Sequence, residues 1–167
     1  GLLTFIPYVG ALVGGILSIG LAFFQFWGEW WLIGAVAAVF FFGQFVDHDI
    51  TLDATTSFHQ VVEHAGEIAN VRTPTLDLDC IYGLGPEAAP YLYANGGDFG
   101  GAKLLTGADS GAGGLADDDL ARASNGRAMI GDPRNDENRV ISQMQLAMIR
   151  FHNHVCDTLN AEEGYTG

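Results

Sequence analysis

The N-terminal part of the chain is almost uniformly apolar. Residues 1–46 contain one of the 20 acidic residues, Glu29, and none of the 7 basic ones. The uncharged run Leu2–Phe26 exceeds the roughly 20 residues that a helix needs to cross a bilayer, and Trp30–Val46 comes close to that length. With Trp27–Trp30 as a turn whose indoles suit a membrane interface, the pattern predicts a transmembrane helical hairpin. A pair of buried core helices is the alternative.

Beyond residue 46, short helical patterns alternate with irregular, turn-rich sequence. Gly83–Gly114 is rich in glycine and holds two prolines, which predicts a long loop region. The clearest helix comes last, because Asp132 is a good N-cap, Pro133 suits the first helical position, and apolar residues then follow at helical spacing. We place this helix at about 133–160, so the predicted fold is mainly α with long loops.

Charge separates the two parts of the chain and excludes some functions. The net charge is −13, and every basic residue lies after residue 46. Nucleic-acid binding requires clustered Lys and Arg and is therefore not expected. Surplus carboxylates suit a cation site, although they more often only keep a surface soluble. Cys80 and Cys156 are far apart and predict neither a disulfide framework nor a zinc site.

A polar cluster ends the apolar run. Gln44, Asp47 and His48 stand at i, i+3 and i+4, so a helix would project all three from one face, while Asp49 turns about 100° away. A single histidine at the end of an apolar helix is more often structural than catalytic. Here the flanking carboxylates form a cluster that is unfavourable beside so many phenylalanines unless something is bound there. His48 is therefore a candidate catalytic residue.

A second candidate segment carries oxygen-bearing side chains at alternate positions, which are Thr73, Thr75, Asp77 and Asp79. In an extended or looping backbone these side chains point the same way. Hard oxygen ligands of this kind suit Ca²⁺, and Asp49 would add another. An exposed strand of alternating polarity is the competing explanation.

The third candidate is Asp132–Asn138, at the start of the last predicted helix. Arg134 and Glu137 are three residues apart and share a helical face, so an ordinary surface ion pair is the default explanation. An arginine near a helix N-terminus would alternatively stabilise an anion or a developing negative charge.

Five ordered motifs occur between about Phe41 and Asp157, namely Gly43–Asp49, Arg72–Pro74, Leu76–Gly83, Gly126–Asn138 and Arg150–Asn153. Together they resemble the animal-type haem peroxidases, the peroxidase-cyclooxygenase superfamily, and especially its bacterial members. The resemblance implies a helical fragment that forms the distal half of a peroxidase. It also implies a haem b cofactor, ester-linked in some relatives, with hydrogen peroxide and a small reducing substrate as partners in the response to oxidative stress.

The resemblance implies a role for each candidate residue. His48 would be the distal histidine above the haem iron, Gln44 would line the same pocket, and Arg134 would be the catalytic arginine. The neutral histidine would take a proton from hydrogen peroxide and return it to the departing oxygen, while the arginine stabilises charge as the O–O bond breaks. Asp47 and Glu137 match carboxylates that form ester bonds to haem methyl groups in some relatives.

The resemblance also implies a calcium site and an incomplete haem pocket. The positions that match the calcium ligands are Asp49, Thr73, Thr75, Asp77 and Asp79, the last in place of a serine that many relatives have. The family's proximal histidine lies downstream of the catalytic arginine, on a helix that this chain does not reach. His152 and His154 are not substitutes for it. We therefore expect this chain alone to be an inactive peroxidase.

Residues 1–46 resemble a different family, the bacterial autoinducer-exporter-like permeases, in Leu3–Gly10 and in the hairpin through Phe42–Val46. We therefore expect an apolar hairpin at 1–46 that associates with the membrane and a partial haem peroxidase domain at 47–167, otherwise secreted or extracytoplasmic. Because both families can carry Phe-Gly-Gln-Phe-Val, one hypothesis is a chimera joined at this segment. Two other functions stay open, which are a permease fragment with an unrelated acidic tail and a calcium-binding interaction module.

Overall fold

A computed structural model describes residues 9–53, 69–95, 101–109 and 118–164 of the chain. The chain divides into two compact units, residues 1–76 and 77–167. Four α-helices are present in the described residues, which are α1 (Val9–Gln25), α2 (Trp30–Ile50), α3 (Asp79–Tyr82) and α4 (Arg139–Glu163). Three 3₁₀ helices accompany them at Pro90–Leu92, Gly107–Asp109 and Pro133–Asp136. The described ranges contain isolated β-bridges but no strand, so the prediction of a mainly α fold with loops is confirmed.

The first unit is built on the helical hairpin that the apolar pattern predicts. Residues 2–8 of the first predicted helix lie outside the described residues. The turn forms where the sequence places it, because Gly28 adopts a φ of 90° that other residues rarely adopt. Trp31 then donates its indole N–H to the Glu29 carboxylate at 3.0 Å. Phe23 packs edge-on against Trp27 and Trp30, with ring centroids 4.8 and 5.8 Å apart, and the contact with Trp30 spans the turn.

Glycines allow the two helices to approach. A Cβ atom added at Gly15 would lie 3.0 Å from the ring of Phe40 on α2, and one added at Gly14 would lie 3.7 Å from the same ring. The phenylalanine therefore occupies space that a side chain on α1 would otherwise fill. Small residues bring helices together in this way in membrane hairpins.

Large apolar side chains cover the outer surface of the hairpin. Phe24 is 84% exposed and Val39 is 72% exposed. Among the described residues, α2 is the one helix that is long and apolar enough to cross a membrane. Its 21 residues rise by about 31 Å at roughly 1.5 Å each, close to the ~30 Å of bilayer hydrocarbon. A signal sequence near an N-terminus passes the same test of length and composition, so the helix fits a membrane-bound or a secreted protein.

Helix α2 runs four residues beyond the predicted end at Val46. It ends at Ile50 because Thr51, in an extended conformation, donates both its backbone N–H and its hydroxyl to the Asp47 carbonyl, at 2.9 and 2.8 Å. Beyond the helix, Asn70 donates to the Ile50 carbonyl at 2.9 Å and accepts from the backbone of Leu52 at 2.8 Å. One amide side chain thus fixes the exit of the chain from α2.

The second unit packs short turns against one face of α4. Buried apolar side chains from several segments form its core, including Ile81, Leu92, Leu104, Leu120, Ile141 and Leu146. The loop region predicted for Gly83–Gly114 contains two of the 3₁₀ helices and, in its described part, no α-helix. The Asn153 side chain of α4 holds this loop region at Leu104, where it accepts from the backbone N–H and donates to the carbonyl, both at 2.8 Å. Helix α4 thus holds the loops in place through its polar side chains as well as its apolar ones.

The last predicted helix is two elements. A 3₁₀ helix occupies Pro133–Asp136, and α4 begins separately at Arg139. Asn138 separates them because its backbone is extended and its side chain caps α4 by accepting from the Ile141 N–H at 3.0 Å. Asp132, the predicted N-cap, therefore caps the 3₁₀ helix, where it accepts from the Arg134 N–H at 2.9 Å.

Candidate active site

The candidate distal residues lie on the last two turns of α2. Because the helix is continuous to Ile50, Gln44, Asp47 and His48 share one face as their spacing predicts. Gln44 is half-buried and Asp47 is exposed, and the Asp47 carboxylate accepts from the Thr51 hydroxyl at 3.0 Å. His48 and Asp49 are only 5% and 0% exposed. The end of an apolar helix thus carries an imidazole and a carboxylate that are both removed from solvent.

Arg134 is held by a buried carboxylate two residues before it. Its Nε lies 3.0 Å from one Asp132 oxygen, and its Nη2 lies 2.8 Å from the other. Asp132 is fully buried, whereas the Arg134 side chain is 25% exposed. A two-pronged pair of this kind fixes the plane of the guanidinium as well as its position. The predicted partner, Glu137, stands three residues away on the other side.

Buried amides anchor the 3₁₀ helix that carries Arg134. Asn135 donates to the Gln145 side chain of α4 at 2.8 Å, and Gln145 donates in turn to the Cys80 carbonyl at 3.2 Å. Both amide side chains are fully buried. Because an unpaired buried amide is unfavourable by about 1–3 kcal/mol, this chain of hydrogen bonds favours one position of the turn relative to α3 and α4.

Glu137 follows the 3₁₀ helix and faces a polar cleft. Burial raises the pKa of its carboxyl, the charge of Arg134 opposes that rise, and the charge of Asp132 adds to it. The open cleft has a volume of about 680 Å³, and its lining includes the acidic Asp118, Asp119, Asp136 and Glu137 and the basic Arg122 and Arg139. Arg134 is thus close enough to Glu137 for its charge to act on the Glu137 carboxyl.

The candidate calcium ligands fall in both units. Asp49, Thr73 and Thr75 belong to the first unit, and both threonines are exposed. Asp77 and Asp79 begin the second unit, where the Asp79 N–H lies 3.4 Å from the Asp77 carboxylate.

The residue between these two aspartates has an unusual backbone. Leu78 has a φ of 62°, and it is the one non-glycine residue with a positive φ in the described ranges. Such a backbone is unfavourable by roughly 1–3 kcal/mol, and strain of this kind clusters at ligand sites.

His152 is engaged through both ring nitrogens. Its Nε2 lies 2.9 Å from the Ala102 carbonyl, which can only accept, so Nε2 carries the proton. Its Nδ1 lies 3.3 Å from the Tyr82 hydroxyl, which therefore donates. The imidazole joins α4 to α3 and to the loop at residue 102.

The pairing of Arg134 with Asp132 is not evident from the sequence. Asp132 and Arg134 are two residues apart, a spacing at which side chains within a helix do not face each other. They meet because Asp132 lies just outside the 3₁₀ helix, as its extended N-cap. Arg122 and Asp136 also pair, at 2.8 Å, although 14 residues separate them. The i, i+3 pair of Asp119 and Arg122, at 3.0 Å, is the one local signal that would have drawn attention to this network.

A comparison with protein-family models matches residues 55–165 to the animal haem peroxidases. The matched range includes Arg134, Glu137 and the segment from Thr73 to Asp79, and it begins after His48. Searches of curated proteins and of solved structures gave no significant match. The match covers about two thirds of the chain, and the chain belongs to the animal haem peroxidase family, whose members are haem-binding oxidoreductases.

Proposed function

We propose that this chain supplies the distal half of a haem peroxidase that reduces hydrogen peroxide, with His48, Arg134 and Gln44 as catalytic residues. The family match supports the reaction class. The observation that carries the assignment of Arg134 is its two-pronged pair with the buried Asp132. A guanidinium held in this way before the reaction begins needs no reorganisation when negative charge develops near it.

The residues of this chain suit the distal side of a haem. The haem, when bound, supplies the redox chemistry of the iron. His48, removed from solvent at the end of α2, would accept a proton from hydrogen peroxide and return it to the departing oxygen. Arg134 would stabilise the charge that grows on that oxygen, and Gln44 would orient the peroxide by hydrogen bonding.

Reconstitution with haem tests the catalytic assignments. The experiment supplies exogenous imidazole as an iron ligand together with ferric haem and follows peroxide cleavage by stopped-flow absorbance. Replacing His48 with Leu removes a general base and should slow cleavage by about 10²–10⁴-fold. Arg134→Lys keeps the positive charge but loses the planar guanidinium that pairs with both oxygens of Asp132, and it should slow cleavage by about 10²–10³-fold.

Two exposed residues of the second unit provide matched controls. His154 lies on the exposed side of α4, and Arg127 is exposed on the loop after Arg122. His154→Leu and Arg127→Lys should leave the rate within about threefold of the parent, since a surface change away from the site has little effect. If His48→Leu cleaves peroxide as fast as these controls, His48 is not the distal base.

We propose that Glu137 and Asp47 form the ester bonds to haem that the resemblance implies. Glu137 is half-buried and directly follows the 3₁₀ helix that carries Arg134, which supports this role. Each ester would join a carboxylate oxygen to a methyl carbon of the haem with loss of a proton and two electrons, and hydrogen peroxide would accept the electrons and be reduced to water. After repeated turnover with peroxide, haem linked to the protein should resist acidic organic extraction and appear as an adduct in the mass spectrum. Glu137→Gln and Asp47→Asn should each remove one bond, and free extraction of haem from the parent would contradict the proposal.

We propose that Asp49, Thr73, Thr75, Asp77 and Asp79 bind Ca²⁺. The support from the structure is local, since the strained Leu78 backbone lies between two carboxylate ligands. Isothermal titration should show binding of Ca²⁺ in preference to Mg²⁺, because a site of several oxygens suits the larger ion. Asp77→Asn should weaken binding, whereas Asp109→Asn, an exposed control, should not. Equal affinity in the two variants would exclude the site.

A second candidate function concerns the hairpin of the first unit. We propose that α1 and α2 insert into a lipid bilayer, as the permease resemblance of residues 1–46 implies. The observation that favours it is the row of exposed apolar side chains along both helices, such as Leu21 and Phe42, at 65% and 56% exposure. The three tryptophans of the chain, at positions 27, 30 and 31, would mark the interface. Their emission should shift to the blue with vesicles and be quenched by lipids brominated near the headgroup. Unchanged emission would contradict insertion.

The hypothesis of a chimera stays a prediction. The sequence Phe41–Val46 lies within α2, which passes through it without a break, and a continuous helix is compatible with either origin. Long sequencing reads that span both halves in the source DNA would refute the hypothesis.

A further inference from the structure

Arg122 uses all of its side-chain donors to join two carboxylates and a carbonyl of the second unit. Its Nε and Nη2 lie 3.0 and 3.2 Å from the two oxygens of Asp119. Its Nη1 and Nη2 lie 2.8 Å from the two oxygens of Asp136, and Nη1 also donates to the Gly126 carbonyl at 3.0 Å. The five N–H groups of the guanidinium are therefore all paired. Asp136 and then Asp119 raise the pKa of Arg122, and Arg122 lowers the pKa of Asp119.

Asp136 is the last residue of the 3₁₀ helix that carries Arg134. A single turn of 3₁₀ helix is not stable by itself, because the first turn of any helix fixes several backbone dihedral angles and forms only one hydrogen bond. Its position is set from outside, at the start by Asp132, in the middle by Asn135, and at the end by Arg122. Of these three anchors, Arg122 is the one that lies in a preceding loop, and its pair with Asp136 is the most exposed.

We propose that Arg122 is a positioning residue for Arg134, which it holds in place by clamping Asp136. The inference rests on the proposed function in so far as Arg134 is catalytic. The clamp depends on geometry as well as charge, because a fork that binds two carboxylates at once cannot be reproduced by the point charge of a lysine. Arg122→Lys should therefore keep the fold and still release the turn.

Nuclear magnetic resonance of the full 167-residue chain in detergent micelles tests the proposal without haem. The chain has six arginines, and Arg134→Lys identifies the Arg134 Nε–H signal by its loss. In Arg122→Lys we expect that signal to shift and its proton to exchange at least tenfold faster, because the turn no longer holds the guanidinium against Asp132. The amide signals of α4 beyond residue 150 should not move.

Arg127→Lys is the matched control, since it makes the same change at an exposed position, and it should leave the Arg134 signal unchanged. If Arg122→Lys broadens the signals of the whole unit, Asp136→Asn provides a milder test, because it keeps the volume and one acceptor of the clamp. An Arg134 signal with unchanged position and exchange in either folded variant would overturn the proposal.

The same variants, assayed also for peroxide cleavage after reconstitution with haem, separate this proposal from the proposed function. The Nε–H signal reports where Arg134 is held, whether or not it acts on peroxide. A released Arg134 signal together with normal peroxide cleavage in Arg134→Lys would confirm the clamp and refute the catalytic assignment. An Arg134 signal that does not move in Arg122→Lys, together with lost cleavage in Arg134→Lys, would refute the clamp and support the catalytic assignment.

Discussion

Replacing Gly131 with alanine should disrupt the contact between the Arg134 turn and α3. A Cβ atom at this position would lie 2.2 Å from the Asp79 carbonyl oxygen and 2.7 Å from the Cys80 carbonyl oxygen. Ordinary contacts begin near 3.4 Å, so one backbone must move by roughly 1.2 Å. Since both obstacles are backbone atoms, no side-chain rotation relieves the clash.

The expected loss of stability follows from what those two carbonyls accept. The Asp79 carbonyl accepts from the Gly83 N–H at 2.8 Å, and the Cys80 carbonyl accepts from Gln145 at 3.2 Å. Loss of two hydrogen bonds costs about 2 kcal/mol at roughly 1 kcal/mol each, and overpacking adds about 1–3 kcal/mol. The sum, about 3–5 kcal/mol, is a large share of the ~5–15 kcal/mol that stabilises a typical domain.

Amide hydrogen exchange of Gly83 measures this effect at the site. At about 1.4 kcal/mol per factor of ten, Gly131→Ala should speed the exchange by at least about 100-fold. Gly34→Ala is the control, because Gly34 lies in α2 with open space around it, and alanine there should stabilise the helix by about 0.5–1 kcal/mol. Gly83 exchange within about threefold of the parent would refute the argument from packing.

Four further predictions concern capping, charge and loop attachment. Asn138→Ala removes the α4 cap and should lower the free energy of unfolding by about 1 kcal/mol in urea titrations. Arg122 lowers the pKa of Asp119 from 3.8, so the ionised Asp119 stabilises the fold above pH 3.8, and this stabilisation is lost as the pH falls through the native pKa. In Asp119→Asn the melting temperature should therefore fall less steeply with acidification than in the parent. Burial raises the pKa of Glu137, so the neutral carboxyl stabilises the fold below the usual carboxyl pKa, and this stabilisation is lost as the pH rises through the native pKa. Glu137→Gln keeps a neutral side chain at every pH and should raise the melting temperature at neutral pH. Asn153→Ala removes two backbone contacts and should cost about 1–3 kcal/mol, measured by chemical denaturation.

The predictions that held depend on local sequence. The hairpin follows from a long apolar pattern with Gly28 at its turn, and the existence of α4 follows from its apolar periodicity. The break at Asn138 was missed because Asp132 and Pro133 already formed a complete helix start, which left no reason to look for a second one.

The features of the candidate site that the sequence does not reveal depend on contacts between residues that are far apart in the chain. Gln145 meets the Cys80 carbonyl across 65 residues of chain, and neither residue has a pattern that points to the other. The pair of Asp132 and Arg134 was missed for a related reason. Side chains two residues apart do not face each other within a helix, whereas Asp132 precedes the 3₁₀ helix as its extended N-cap.

The dependence of the loops on α4 has a consequence for biosynthesis. Tyr82, Leu104 and Cys80 find their hydrogen-bond partners in α4 at 49 to 70 positions further along the chain. During translation, everything from α3 to the Arg134 turn emerges from the ribosome before the helix that organises it. Closing such long loops is slow relative to local helix formation, so we expect the nascent second unit to stay protease-sensitive and to need protection from aggregation until α4 is complete. Pulse proteolysis of chains stalled before and after residue 163 would show when protection begins.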